Sequence, residues 1–510
     1  MRNKKTPGIV IAAMIGAALA ITGCQGQDLK EAPIQGAEKE PATAEAAMPV
    51  PEEDEAEDRS EAAYDNSESG GHAIEADGID VSYSKSPVTK TGDSEGDEAD
   101  FYGENAAVFA TNGAHLTLSE MNIKTDGEHA NAVFSYGEGT IVDIKDSNIE
   151  TSGNCSGGIM TTGGGTMNAS NLTIHTTGRS SAAIRSDRGG GKVTVNGGNY
   201  ITDGTGSPAI YSTADITVND AALTSTASQG VVVEGKNSVT LNNVVLNADN
   251  NQHNSDKSDH YQAVMIYQSM SGDADMGLSE FNATGGGISN ANGDVFFVNN
   301  TATSVNLAGV DITNNGGGVF LRAAAAGWGN EGSNGGKVNL NATDQKIDGD
   351  MIVDDISVLN LYLKEGSVFS GAVNPDGAAG AVYVDLSGGA KWTLTADSYI
   401  SSLTCDADSI DLNGYTLTVD GKKYSPQSAS NGEPVEIKPE EGAGRDKMQA
   451  DDNKKPPIED GNMQPPQDGE RPEMPDGQRP QKPDGEPPQK PDGEGGPAGR
   501  EGTPPPDMPD

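Results

Sequence analysis

The densest group of metal-ligand residue types lies in one polar stretch, NADNNQHNSDKSDHY (247–261), which carries Asp249, His253, Asp256, Asp259 and His260. Carboxylate oxygens suit calcium and imidazole nitrogens suit zinc, so these five are the candidate metal ligands. Calcium is the cofactor weighed for them, and no other cofactor is indicated. The remaining histidines (His72, His115, His129, His175) are scattered, and no zinc-type spacing ties any histidine to Cys24, Cys155 or Cys405. Hydrolysis of a glycosidic bond needs two carboxyl groups at a controlled separation. Asp354-Asp355 in MIVDDI is an adjacent pair of this kind, and an acidic pair at a turn reads first as a solvated corner. No phosphate-binding glycine loop and no nucleophile-elbow serine is present, so no catalytic residue is assigned.

A second set of candidates comes from a recurring phrase: AAVFATNG (106–113), NAVFSYGEG (131–139), GGIMTTGGG (157–165), AAIRSDRGGG (182–191), PAIYSTAD (208–215) and GVVVEGKN (230–237). Aligned on Val108, Val133, Ile159, Ile184, Ile210 and Val232, the phrases are followed by a second column, Leu116, Val142, Met167, Val193, Ile216 and Val239. A third column runs Ile123, Ile149, Ile174, Tyr200, Leu223 and Leu246, and all three repeat at about 25 residues. Side chains alternate along a strand, so the residue after each first-column position faces outward. This gives a stripe of Phe109, Phe134, Met160, Arg185, Tyr211 and Val233 as candidate ligand-binding residues. Aromatic faces suit sugar rings, and Arg185 with Arg188 suits an acidic glycan. The other reading is that the stripe lies under another segment, for which residues 76–104 are the candidate cover. The second strands turn Thr117, Asp143, Asn168, Thr194, Thr217 and Thr240 outward, where cross-strand pairing explains them.

Each repeat holds three short alternating segments, punctuated by Gly, Asn, Asp and Ser, and none is stable alone. Pairing each strand with its counterpart one repeat later solves this. The predicted fold is all-β: a single-stranded right-handed parallel β-helix, a three-sheet solenoid with about 25 residues per coil and disordered N- and C-terminal segments. A chain of 510 residues that is only 34% hydrophobic and holds 67 glycines suits such a narrow interior better than a large globular core. Its net charge of −44 repels nucleic acid, which is excluded as a partner. Cys155 and Cys405, far apart along the coils, are expected to be free, buried side chains.

The first residues, MRNKKTPGIVIAAMIGAALAITGC, combine a basic start, an apolar run and small residues, the pattern of a secretory signal. The ending Ile21-Thr22-Gly23-Cys24 resembles the bacterial lipobox, which implies lipidation of Cys24 and cleavage before it. Near the other end, KWTLTADSYISSLTCDADSIDLNGYTLTVDG (391–421) resembles the last coils of pertactin-like autotransporter passengers through Trp392, Leu394, Leu403, Leu412, Leu417 and Val419. The resemblance implies a surface adhesin rod. The chain departs from it where a membrane barrel would follow, because a tail with PDG at 475, 483 and 491 stands there instead. Of the motifs of polygalacturonases, which share the β-helix, only the Asp-Asp pair is found.

These readings divide the chain into a lipoprotein signal peptide (1–23), an acidic disordered linker (24–75), a parallel β-helix (76–425) and a disordered Pro-rich tail (426–510). The expected function is binding or adhesion by an exported, lipid-anchored protein exposed on the bacterial surface. Its expected partners are the membrane, through the anchor, and a polysaccharide or host cell-surface ligand; the expected state is a monomer. The alternatives are a polysaccharide lyase or glycoside hydrolase of the β-helix type and a structural spacer rod.

Overall fold

The computed structural model describes residues 57–377 and 380–442. Cys24, the predicted signal segment and the PDG tail lie outside these residues. The described chain is almost entirely β, with one short helix, α1 (Asp97–Phe101). Among the described residues no helix is long and apolar enough to cross a membrane.

The strands pair in parallel with their counterparts one repeat later. Ile159 stands opposite Ile184, and Ile184 opposite Ile210. In the second row Val142 pairs with both Leu116 and Met167, and in the third Ile149 pairs with both Ile123 and Ile174. The first row forms an eleven-stranded sheet. The second and third rows are joined through the uninterrupted strands Gly165–Thr176 and Gly191–Thr202 into one 23-stranded sheet. The second and third columns, and the first from Val108 to Ile210, are buried in one continuous core, in which Val231 rather than Val232 stands opposite Ile210.

A polar corner between the third row and the next first-row strand holds the windings in step. It reads TDGEHA, TSGNCS, TTGRSS and TDGTGS, starting at Thr125, Thr151, Thr176 and Thr202. The corner glycines stack so tightly that a Cβ on Gly153 would lie 1.9 Å from the Gly127 carbonyl oxygen, and one on Gly178 would lie 1.8 Å from that of Gly153. No other residue fits there. Ser156 Oγ accepts the Ala130 amide at 2.9 Å and donates to Gly127 O at 2.8 Å, and Ser181 and Ser207 repeat this for the following windings. Backbone groups that the corner would otherwise bury unpaired are thereby satisfied.

The structure moves both boundaries of the coiled region. Strands begin at Glu57–Ser60, Tyr64–Asn66 and Ile74–Asp77, well before residue 76. This terminal winding is polar because only one of its sides meets a neighbour, so its composition reads as linker. At the other end residues 426–442 are packed. Ser430–Asn431 pairs antiparallel with Thr404 and Cys405, Val435 exchanges two 2.9 Å hydrogen bonds with Asn360, and Gly442 accepts the Met276 amide at 2.8 Å. The antiparallel pairing covers the C-terminal edge of the 23-stranded sheet. Trp392 is buried against Phe369, ring centroids 5.4 Å apart, and its Nε1 donates to Gly371 O at 2.9 Å.

Candidate functional site

The outer face of the eleven-stranded sheet carries the predicted stripe. Phe109, Phe134, Met160, Arg185 and Tyr211 stand on successive strands in direct register. The sixth member is Val232, which pairs with Tyr211; Val233 points inward and belongs to the main core. The run Val231-Val232-Val233 is apolar at every position, so alternation there cannot fix the register, and a one-residue slip exchanges the two faces. Beyond Val232 the stripe continues through Met265, Phe297 and Arg322.

This face is roofed by insertions arising at both of its edges. Residues 91–107 and 249–261 leave the Gly/Ser corner, while 268–277 and 324–336 leave the opposite corner. Beneath the first insertion Phe109, Phe134 and Met160 form a small buried cluster. Gly103 lies directly on it at φ +81°, where a Cβ would come within 2.7 Å of the Phe109 ring. Thr162 Oγ1 donates to Phe101 O at 2.7 Å, and His72 stacks on Phe109 from the other side at 4.5 Å.

A belt of charges crosses the middle. Arg185, 8% exposed, binds Asp100 of α1 and Asp187, each at 3.0 Å. Arg188 contacts Asp97 of α1 and Asp273 of the 268–277 loop, each at 2.7 Å, and lies 3.6 Å from the centre of the Phe101 ring. One arginine thus clamps roof segments from opposite edges to the sheet. Burial pushes the Asp100 carboxyl up, but Arg185 and then His129 outweigh it and hold Asp100 well below the usual range. Asp187 is pushed up to about 7 by burial, against the pull of Arg185 and with help from Asp100 and Asp273. Two guanidinium groups facing four carboxyl groups leave negative charge in excess, and it is the most enclosed carboxyl whose proton affinity rises.

Next to the belt, Glu234 is fully buried and accepts hydrogen bonds from the hydroxyls of Tyr211, Ser269 and, at 3.1 Å, Tyr267. Burial raises the carboxyl of Glu234, and burial together with Glu234 raises both phenols well above their usual value. Tyr211 and Tyr267 then form one wall of a cavity of about 120 Å³, whose other walls include Gln229, Gln262, His253, His260 and Trp328. The roof here is two segments meeting edge to edge: the Gly327 amide donates to Lys257 O at 2.7 Å, and Lys257 Nζ lies 5.9 Å from the Trp328 ring centre.

The five predicted metal ligands of the 249–261 insertion do not converge. His253 stacks on Tyr261 at 4.1 Å, and His260 packs against Phe297 at 5.4 Å. Burial, then Arg322, lowers the imidazole of His260. Asp354 accepts the Ala325 and Ile356 amides at 2.7 and 3.3 Å, so it serves as a corner brace. Among the described residues the donor atoms that do converge belong to Asp100, His129 and Cys155, all within 4.8 Å of one another. The signal for this group was present in the repeat: His129 and Cys155 occupy the same place in successive corners. Cys155 is half-buried and Cys405 buried, and both are free thiols.

No family model, curated protein or solved structure matches the chain.

Proposed function

We propose that the chain is a surface lipoprotein whose folded part is a right-handed parallel β-helix, and that it binds carbohydrate in the cavity between residues 249–261 and 324–336. The observation that carries this reading is the lining: two tyrosines and Trp328 beside the amides of Gln229 and Gln262. Flat aromatic faces take the apolar face of a sugar ring, and fixed amides both donate to and accept from its hydroxyls. The pertactin-like resemblance of residues 391–421 belongs to the same reading, with display or adhesion as the biological role.

Trp328 and Trp392 are the tryptophans of the chain, and Trp392 is fully buried in the core. Saccharide entering the cavity should therefore shift the emission of Trp328 alone. In Trp328→Phe the shift disappears and retention on a glycan matrix falls. Unchanged retention by this variant would sink the proposal. Lipidation at Cys24 is tested separately, by palmitate labelling: the label should be lost in Cys24→Ala.

A polysaccharide-cleaving enzyme is the second reading, and the feature favouring it is Glu234, a buried carboxyl whose proton is held more tightly than usual behind the cavity wall. New reducing ends or unsaturated products, abolished by Glu234→Gln, would favour cleavage over binding.

A further inference from the structure

We propose that Asp100, His129 and Cys155 form a site for a divalent transition metal of the zinc class, with one coordination position left to solvent or an exogenous ligand.

The three donors come from separate places in the chain. His129 and Cys155 follow the corner glycines Gly127 and Gly153, one winding apart, and the third-row strands just before them, Asn122–Thr125 and Asn148–Thr151, are paired in register. Asp100 reaches them from α1, which lies over the sheet as part of the roof. Their donor atoms all lie within 4.8 Å of one another. Tetrahedral zinc with bonds of about 2.0–2.3 Å separates its ligand atoms by roughly 3.3–3.6 Å, so closing the site needs side-chain adjustments on the order of 1 Å.

One further observation points to a missing partner. The Nδ1 of His129 is enclosed and makes no hydrogen bond, and Asp100 Oδ1 stands 3.6 Å from it, beyond hydrogen-bonding range. A ring nitrogen left unsatisfied between a carboxylate and a thiol is one that a bound metal ion would satisfy. His129 and Cys155 are also both held in the left-handed backbone region, at φ 56° and 54°. Ser180 and Gly206 hold the same conformation at the equivalent corners farther on, φ 55° and 67°, so it belongs to the corner itself, which repeats the placement of its side chains from winding to winding.

The donor set selects the ion. A thiolate with an imidazole disfavours calcium and magnesium, which take oxygen, and suits zinc, cobalt or iron. Three protein ligands with an open position is the arrangement of reactive rather than purely structural zinc sites. Arg185 on Asp100 fixes the carboxylate orientation, as outer hydrogen-bond partners of metal ligands commonly do.

The test uses the full chain stripped of metal and titrated with cobalt(II). The expected result is one equivalent bound, with an intense near-ultraviolet thiolate-to-cobalt band, visible bands of four-coordinate cobalt, and displacement of both by zinc. Cys155→Ser, which retains Cys24 and Cys405, should lose the near-ultraviolet band. His129→Ala should weaken binding by more than about tenfold. Asp100→Asn leaves the corner untouched and should weaken binding while keeping the thiolate band, so it decides the matter if a corner variant does not fold. Absence of the band in the wild-type chain, its survival in Cys155→Ser, or binding by Asp100→Asn as tight as wild type would overturn the proposal.

Discussion

Beneath residues 91–107 the outer stripe is sealed, whereas beneath the meeting edges of 249–261 and 324–336 it keeps a cavity of about 120 Å³. The strands and their spacing are the same under both halves, so the difference comes from the roof. The first roof is one continuous segment pressed onto Phe109 and Phe134 at Gly103, and Phe134 and Met160 beneath it are fully buried. The second is built from two segments that touch at Gly327 and Lys257, and bulky Trp328 and His260 prop them above the sheet. On this scaffold, room for a ligand is decided by how many insertions share the covering.

Three measurements can break or sharpen that contrast. The largest effect is expected from Phe134→Ala, which empties the sealed half: loss of a fully buried ring costs about 3–5 kcal/mol. It should show as a lower urea midpoint, and a change within error would mean that the seal is loose. The second concerns the charge belt between the halves. The folded-state value of Asp187 is raised to about 7, so the stability it contributes is complete below the unfolded carboxylate value and is lost as pH rises through 7. Between pH 5 and 7 this amounts to roughly 1 kcal/mol per pH unit, steeper near pH 5 and falling to about half of the single-proton limit at pH 7, with Glu234 acting in the same direction and Asp100, whose carboxyl is lowered, mattering only in acid. Asp187→Asn should flatten the melting temperature over that range, and a slope identical to wild type would exclude Asp187 as its source. The smallest effect is expected from Trp328→Ala, because a half-buried roof residue beside an existing cavity loses only about half of a tryptophan's burial, about 1–2 kcal/mol. If it destabilised the chain as much as Phe134→Ala, the two roofs would be equivalent after all.

The coil columns were legible because each core position repeats a large apolar residue at one winding's distance. Leu116, Val142, Met167, Val193, Ile216 and Val239 stand in register as read. What failed to read out has identifiable causes. Val231 to Val233 offer no alternation, and the winding that begins at Glu57 is polar. Of the roof, the candidate cover 76–104 overlaps the segment 91–107 that lies there, its earlier part being core strands, whereas the other insertions could not be placed because an insertion's length does not say which way it folds. The convergence of His129 with Cys155 escaped a search for short metal motifs because, in a stacked chain, neighbours in space are about 25 residues apart rather than three or four. The corner phrase Thr-x-Gly-x-x-Ser repeats as plainly as the apolar columns, yet polar ladders attract less notice than greasy ones.

The hydroxyl ladder has a direction. Ser181 Oγ receives the amide of Ser156, and Ser207 Oγ that of Ser181, so every clasp is supplied by the later winding and used by the earlier one. Damage at one serine is therefore felt upstream: truncating Ser181 strips the partner from an amide one storey nearer the N-terminus, and a protease or a pulling force would find its foothold there, away from the altered residue itself.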